Sequence, residues 1–200
     1  MNSRFFNIDD LEDIQVDQQP EDHSGILSET FLNIHEERVE RIKNLAGRLP
    51  SPGEIYFLWT VNSFNAFTFI PFILHELGTI DELILSTYSI NIRIIDALIK
   101  LIDRGKILKV DIFISDSIKS RLPKVFDHLN ALVMKRRGVI TVNYAWNHSK
   151  IALIRCGDSY FDIEGSGNWG ENAQHEQYIF LNSRKVFEFR KNEILYGSHP

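Results

Sequence analysis

The stretch that decides how this chain is interpreted runs from Asn147 to Tyr178 and reads NHSKIALIRCGDSYFDIEGSGNWGENAQHEQY. It begins with His148 and Lys150, which are one residue apart at the start of an apolar run. Alternate side chains of a strand emerge on the same face, so the imidazole and the ammonium are expected to point at one spot. Residues 165–168, GSGN, start fifteen residues after Lys150. Glycines permit a tight turn and an amide can donate to an anionic oxygen, so the pattern predicts an anion-binding site.

The combination of HxK, a hairpin-sized gap, GSxN and a trailing acid resembles the signature of the phospholipase D superfamily. The resemblance implies that His148 attacks phosphorus and forms a phosphohistidine, a role that suits a neutral imidazole. It also implies that Lys150 and Asn168 hold the phosphate, that Ser166 shapes or assists the pocket, and that Glu176 steadies the imidazole. The chemistry of this family needs no cofactor and no metal.

One position departs from the family pattern. The family has an Asp after four residues that follow the Lys, and Arg155 stands there in this chain. Asp158 comes three residues later, and the six residues between it and Gly165 match the family spacing. We interpret this as a three-residue lengthening of the hairpin. The departure also motivates an alternative, a catalytically silent module that keeps the phosphate pocket to bind nucleic acid.

The sequence contains a single HxK, whereas the family chemistry uses a second histidine to protonate the leaving oxygen. Members with one motif resemble a small bacterial endonuclease that pairs two copies around a two-fold axis. The resemblance therefore implies a homodimer and a metal-independent phosphodiesterase, foremost a nuclease acting on DNA or RNA. A phospholipid-hydrolysing enzyme is a further alternative, motivated by the phenylalanines within residues 64–72, although a core or interface role also explains them.

The rest of the chain predicts an α/β fold, with a mixed, mainly parallel sheet flanked by helices, as in phospholipase D. Strands and helices alternate after Glu54, and successive short strands follow Tyr144. The predicted strands cover 55–61, 83–88, 107–114, 138–144, 149–155, 160–163 and 177–181. The predicted helices cover 65–77, 92–102, 117–136 and 185–195.

The N-terminal part differs in composition from the remainder. Residues 1–37 hold ten acidic residues and one basic residue, a net charge of −9, so the remainder of the chain carries +4. We predict an acidic flexible leader over 1–27, a helical appendage over 28–50 and the phospholipase D-like domain over 51–200. The leader either improves solubility or competes with nucleic acid for the basic part.

The composition indicates the cellular compartment in which we expect the protein. A single cysteine, Cys156, excludes an internal disulfide framework and suits a reducing compartment. The longest apolar stretch, residues 66–74, is about half the length of a membrane span, and no secretory signal is readable. We therefore expect a cytoplasmic protein without stable membrane association.

Four further groups near the motif have two interpretations each. Trp169 and Tyr144 are candidates for stacking on a base, against ordinary packing. His175 is a candidate metal ligand, against an exposed loop histidine. The basic run 135–137 is a candidate phosphate-backbone contact, against a solvated helix end.

Overall fold

The computed structural model describes residues 33–39, 48–60, 65–170 and 175–196. Within these ranges the chain forms a single eight-stranded sheet with helices on both faces. The strands are β1 (Asn33–Val39), β2 (Glu54–Thr60), β3 (Glu82–Thr87), β4 (Val110–Ser115), β5 (Ile140–Ala145), β6 (Ile151–Cys156), β7 (Ser159–Gly165) and β8 (Glu176–Asn182). The helices are α1 (Phe69–Leu77), α2 (Ile92–Asp103), α3 (Ile118–Arg121), α4 (Pro123–Lys135) and α5 (Arg184–Tyr196), with a 3-10 turn before α1.

The sheet is mixed, as predicted, but it is not mainly parallel. Its strand order is β1-β2-β8-β7-β6-β3-β4-β5. Three pairings are parallel, namely β1 with β2, β3 with β4, and β4 with β5. The other four pairings, which involve β6, β7 and β8, are antiparallel. Two of these pairings, β6 with β7 and β7 with β8, join consecutive strands with only loops between them, a connection that favours antiparallel pairing. The other two pair β6 with β3 and β8 with β2, which come from distant parts of the chain.

The main core lies on the sheet face that α1, α2 and α4 cover. The apolar stripes of these helices pack there against alternate strand residues such as Tyr56, Leu85 and Phe180. The opposite face, which we call the α5 face, carries the other set of alternate residues, and Phe187 of α5 packs there against Ile84 and Leu153. Helices on both faces of one sheet are the arrangement that the sequence predicted.

Proline fixes two helix boundaries. Pro71 is the third residue of α1, so the helix starts at Phe69 and the proline sits in the first turn, where its missing N–H costs no hydrogen bond. The helix predicted as continuous over 117–136 is wrong at Leu122. There the backbone leaves helical geometry (φ −136°, ψ 62°), because Pro123 starts a new helix and disfavours the helical conformation of the residue before it.

The helix predicted within residues 28–50 is wrong for residues 33–39, which form β1. All seven residues of this strand pair in parallel with β2. Without β1, the edge of β2 would leave a row of N–H and C=O groups without partners. The hydrogen bonds between β1 and β2 therefore outweigh the weak helical spacing of residues 33–39. The acidic leader lies outside the described residues, and the domain boundaries stay predictions.

Phenylalanines of the segment 64–72 that fall in the described part belong to the core. Phe69 is fully buried, and Phe67 and Phe72 pack against the main core from its margin. The core interpretation of this segment is therefore confirmed for these three residues. In the described ranges, no helix is both long enough and apolar enough to cross a bilayer.

Candidate active site

Asn147 anchors the segment that carries the HxK pattern. Its amide nitrogen donates to Ser86 Oγ at 2.9 Å and to the carbonyl of Phe113 at 3.1 Å. Its amide oxygen accepts from the backbone N–H and the hydroxyl of Ser149, at 2.9 and 2.8 Å. One side chain thus ties the chain before β6 to both β3 and β4. Sequence reasoning missed this residue, since an Asn beside a motif has no specific pattern of its own.

His148 and Lys150 are brought together as the sequence predicted. Lys150 Nζ lies 3.3 Å from His148 Nδ1 and donates to the His148 carbonyl at 2.8 Å. The imidazole packs against the ring of Tyr88, with 4.7 Å between ring centroids. The guanidinium of Arg121 lies 4.2 Å from the centroid of the same ring, so Tyr88 contacts both His148 and Arg121. His148 remains exposed to solvent beside a cation that is partly buried.

The GSGN segment needs its glycines for steric reasons. A Cβ at Gly165 would overlap the Tyr178 ring and would lie 2.7 Å from the backbone oxygen of Gln177. A Cβ at Gly167 would overlap the Tyr178 hydroxyl and would lie 3.2 Å from the Glu176 carboxyl carbon. The missing side chains therefore allow this loop to lie directly against the start of β8.

Ser166 and Glu176 are in contact where the GSGN segment lies against β8. Ser166 Oγ donates to the carboxylate of Glu176 and accepts from the Gln177 N–H at 3.1 Å. The backbone of Glu176 is fixed by Thr60, which receives its N–H at 3.2 Å and donates to its carbonyl at 2.9 Å. Burial lowers the pKa of Lys150, and the charge of Glu176 opposes this shift, so the carboxylate acts on the ammonium. A contact between Glu176 and His148 stays a prediction.

Asn168 is the last residue of the GSGN segment. Its amide oxygen is buried and has no hydrogen-bond partner among the described residues. The next residue, Trp169, is fully buried and its backbone bonds to Ser89 and Asn91, which fixes the turn against the loop before α2.

The hairpin between the two halves of the motif ends in a tight turn. Its strands β6 and β7 pair up to Cys156 and Ser159, and Gly157 takes a left-handed conformation (φ 55°) in the turn. Arg155 is ion-paired with Asp81, whose carboxylate also accepts from the Gly157 N–H at 2.7 Å. Arg155 therefore braces the hairpin against the loop before β3, at the end of the strands away from His148.

The other residues that the sequence offered as candidates make the following contacts. Trp169 is fully buried, so its ring belongs to the core. Tyr144 is half-buried, donates to Asn130 at 3.0 Å and packs against Phe126. Arg136 pairs with Asp103. His175 is exposed and stacks on Trp59, with 6.0 Å between ring centroids.

A groove of about 720 Å³ opens on the α5 face next to these residues. Lys150 and Glu164 line one side of it, and Phe57, Trp59 and Gln177 line the other. Phe57 and Trp59 are 40% and 53% exposed. Sequence reasoning missed this groove, because the apolar run of β2 indicates a strand buried on both faces and does not reveal that α5 covers only part of one.

No protein-family model matches the chain, and no curated protein matches it significantly. Among solved structures, polyphosphate kinase from Porphyromonas gingivalis shares 19% identity over 73% of this chain and 26% of the kinase, with a TM-score of 0.48. Phosphatidylserine synthase from Haemophilus influenzae Rd KW20 shares 13% identity over 72% of this chain and 39% of the synthase, with a TM-score of 0.46. The chain spans well under half the length of either protein.

Proposed function

We propose that this protein is a metal-independent phosphodiesterase of the phospholipase D type that cleaves nucleic acid as a homodimer. The observation that carries the proposal is the convergence of two motif halves. Lys150 Nζ lies 3.3 Å from His148 Nδ1, and the N–H of Gly165, which starts the second half, donates to the Lys150 carbonyl at 3.1 Å. The charge of Glu176 acts on the same ammonium. A nucleophile and a cation that share one spot are what attack on a phosphate diester requires.

In the first step, His148 Nε2 attacks phosphorus and the bond to the leaving oxygen breaks. An ammonium can only donate, so the His148 Nδ1 that faces Lys150 acts as the acceptor. Attack from Nε2 needs the other tautomer, with the proton on Nδ1. A phosphate oxygen is a stronger acceptor for Lys150 than Nδ1, so substrate binding would release the ring to change tautomer.

The leaving oxygen takes a proton from His148 of a second copy, which acts as general acid. Water then attacks the phosphohistidine and gives its proton to the same second histidine, so both imidazoles return to their starting states. Lys150 and Asn168 would neutralise the non-bridging oxygens through both steps. The site is incomplete in one chain because the sequence holds only one HxK.

A catalytically silent nucleic-acid-binding module is the second candidate. The observation that favours it is Arg155, which stands where the family has an acid and is used here to brace the hairpin through Asp81. Such a module would bind DNA in a salt-dependent manner without turnover, and His148→Ala would leave that binding unchanged.

The test is cleavage of plasmid and oligonucleotides in EDTA by purified protein. We expect cleavage by the wild type and a loss of roughly 10³-fold or more in His148→Ala. His128→Ala is the matched control, since His128 of α4 pairs with Asp96 of α2 at 2.8 Å and belongs to no part of the motif. Equal cleavage by wild type and His148→Ala would contradict the proposal, as would a monomeric mass for the active species. Release of headgroup from phospholipid vesicles, without nucleic-acid cleavage, would identify a lipid-directed enzyme instead.

A further inference from the structure

Arg121 of α3 is a cation beside the proposed nucleophile that belongs to neither half of the motif. Its guanidinium carbon lies 4.2 Å from the centroid of the Tyr88 ring, and the centroid of the His148 ring lies 4.7 Å from the same point. Because both distances end on one ring, the guanidinium and the imidazole cannot be further apart than the two distances together. Arg121 is therefore a close neighbour of the phosphate that His148 would attack.

The guanidinium of Arg121 is held in place and is still open to a ligand. Its Nε donates to Ser117 Oγ at 3.2 Å, which fixes one side of the group. Among the described residues its two terminal nitrogens make no hydrogen bond and no ion pair, and the residue is exposed. Two adjacent nitrogens of this kind form the fork that binds two oxygens of a phosphate. Arg121 thus has the geometry of an anion contact, and no acid of the described part satisfies it.

The segment around Arg121 is basic as well. Residues 116–124 hold three basic residues and one acid, Asp116. Lys119 of the same helix lies 5.2 Å from the centroid of the Tyr144 ring and also forms no ion pair within the described ranges. Exposed cations at the edge of a site attract a polyanion and release its counterions when it binds. The charge on this side of His148 therefore suits a ligand with more than one phosphate.

We propose that Arg121 binds a second phosphate of the nucleic-acid substrate, next along the strand from the phosphate held at His148 and Lys150. This inference rests on the proposed function and adds a contact that the motif does not supply. A nucleic-acid strand carries a phosphate at every nucleotide, so a cation close to the nucleophile finds a partner on the same molecule. A glycerophospholipid carries one phosphodiester at the bond to be cleaved, and Arg121 would have no counterpart on it. The arrangement therefore favours a polymer of phosphates over a lipid.

The experiment measures the affinity of thymidine dinucleotides in the His148→Ala background, so that no turnover occurs. The ligands are dithymidine monophosphate and the same dinucleotide with an added phosphate at its 5′ or its 3′ end, each competing with a fluorescein-labelled oligothymidylate. In this parent we expect one of the added phosphates to strengthen binding by about 5- to 15-fold. Arg121→Ala should abolish that gain and should change the affinity of the dinucleotide without an added phosphate by less than about twofold.

Two further variants show what the gain depends on. Arg104→Ala is the matched control, because Arg104 is an exposed arginine at the end of α2, on the edge of the sheet where β4 begins. It removes the same charge and should keep the gain. Arg121→Lys keeps the charge without the fork and should retain part of the gain, which separates the loss of a phosphate contact from a folding defect.

Four results would overturn the inference. The first is equal affinity of the parent for all three dinucleotides, and the second is loss of the gain in Arg104→Ala. The third is a similar weakening of all three ligands in Arg121→Ala, because an arginine that only holds Tyr88 in place cannot distinguish them by a terminal phosphate. The fourth is displacement of the labelled strand by anionic phospholipid vesicles from the parent but not from Arg121→Ala, which would identify a lipid contact.

Cleavage of the same dinucleotides by the wild type distinguishes this inference from the proposed function. A gain that depends on Arg121, without cleavage of any of them, would contradict the enzyme and support the second phosphate site. Cleavage that depends on His148, with no gain from either added phosphate, would do the reverse.

Discussion

Asp162 gives the sharpest prediction about stability. It is fully buried in β7, between Leu153 and Leu181 of the neighbouring strands, and neither carboxyl oxygen has a hydrogen-bond partner among the described residues. Burial raises the pKa of Asp162 well above its usual range, the charge of Glu164 adds to this, and Arg190 opposes it. A buried carboxylate without hydrogen bonds is costly, so the folded protein favours the protonated acid.

The perturbation is Asp162→Asn, which keeps the shape and the polar atoms but cannot ionise. The folded pKa is above the unfolded pKa of about 3.9, so unfolding releases a proton between the two values. The wild type therefore loses stability relative to the variant as pH rises above about 4, by at most ~1.4 kcal/mol per pH unit, until the folded pKa is passed. We expect the variant to be about 1–3 kcal/mol more stable at pH 8, in the range of a buried polar group left without its partner, and close to the wild type at pH 4.

The assay is urea unfolding of the full chain at a series of pH values between these limits, with the midpoint and the slope fitted separately. Asp158→Asn is the matched control, because it makes the same change in the exposed turn of the same hairpin and should alter the unfolding free energy by less than about 0.5 kcal/mol. A gap between wild type and Asp162→Asn that stays constant with pH would refute the reasoning. A wild type that is the more stable protein at pH 8 would refute it as well.

Three other predictions concern the site and its surroundings. Gly167→Ala should cost about 1–3 kcal/mol by urea unfolding and should abolish cleavage, since the new methyl group displaces Tyr178 or Glu176; full activity would show that the loop does not need its close approach. Glu176→Gln should move the alkaline limb of the pH–rate profile to lower pH, because the carboxylate that opposes the lowered pKa of Lys150 is gone; a shift to higher pH would contradict this sign. Burial raises the pKa of Cys156 to about 12, so this thiol should resist iodoacetamide at pH 8 until urea unfolds the chain; rapid alkylation of the native protein would count against the burial.

Much of the fold was predictable because local chemistry and tertiary packing agree there. The apolar stripe of α2 and its capping Asn91, whose side chain accepts from the Ile94 N–H, specify that helix without outside help. The tight turn at Gly157 likewise specifies the β6–β7 hairpin. Where the predictions failed, at β1 and in the balance of parallel and antiparallel strands, the outcome depends on which edge is free to pair. Such pairing is non-local, and residue periodicity does not record it.

Some features of the site were likewise predictable from local sequence and others were not. The spacing of His148 and Lys150 predicts their convergence, because one residue between two side chains in an extended chain leaves them on the same side. The exposure of Trp59 was not predictable, because it depends on how far α5 extends over the sheet. The role of Asn147 was not predictable either. Its role is visible only when β3 and β4 have been placed beside it.

The contacts of Tyr88 with His148 and Arg121 have a consequence for the proposed nucleophile. An exposed side chain normally samples several rotamers, and each turnover would have to select one of them. Here the ring packs against Tyr88, which also contacts Arg121 of α3. The torsional entropy of the imidazole is therefore reduced once, when the chain folds, and an incoming phosphate finds a reaction partner whose orientation is already decided.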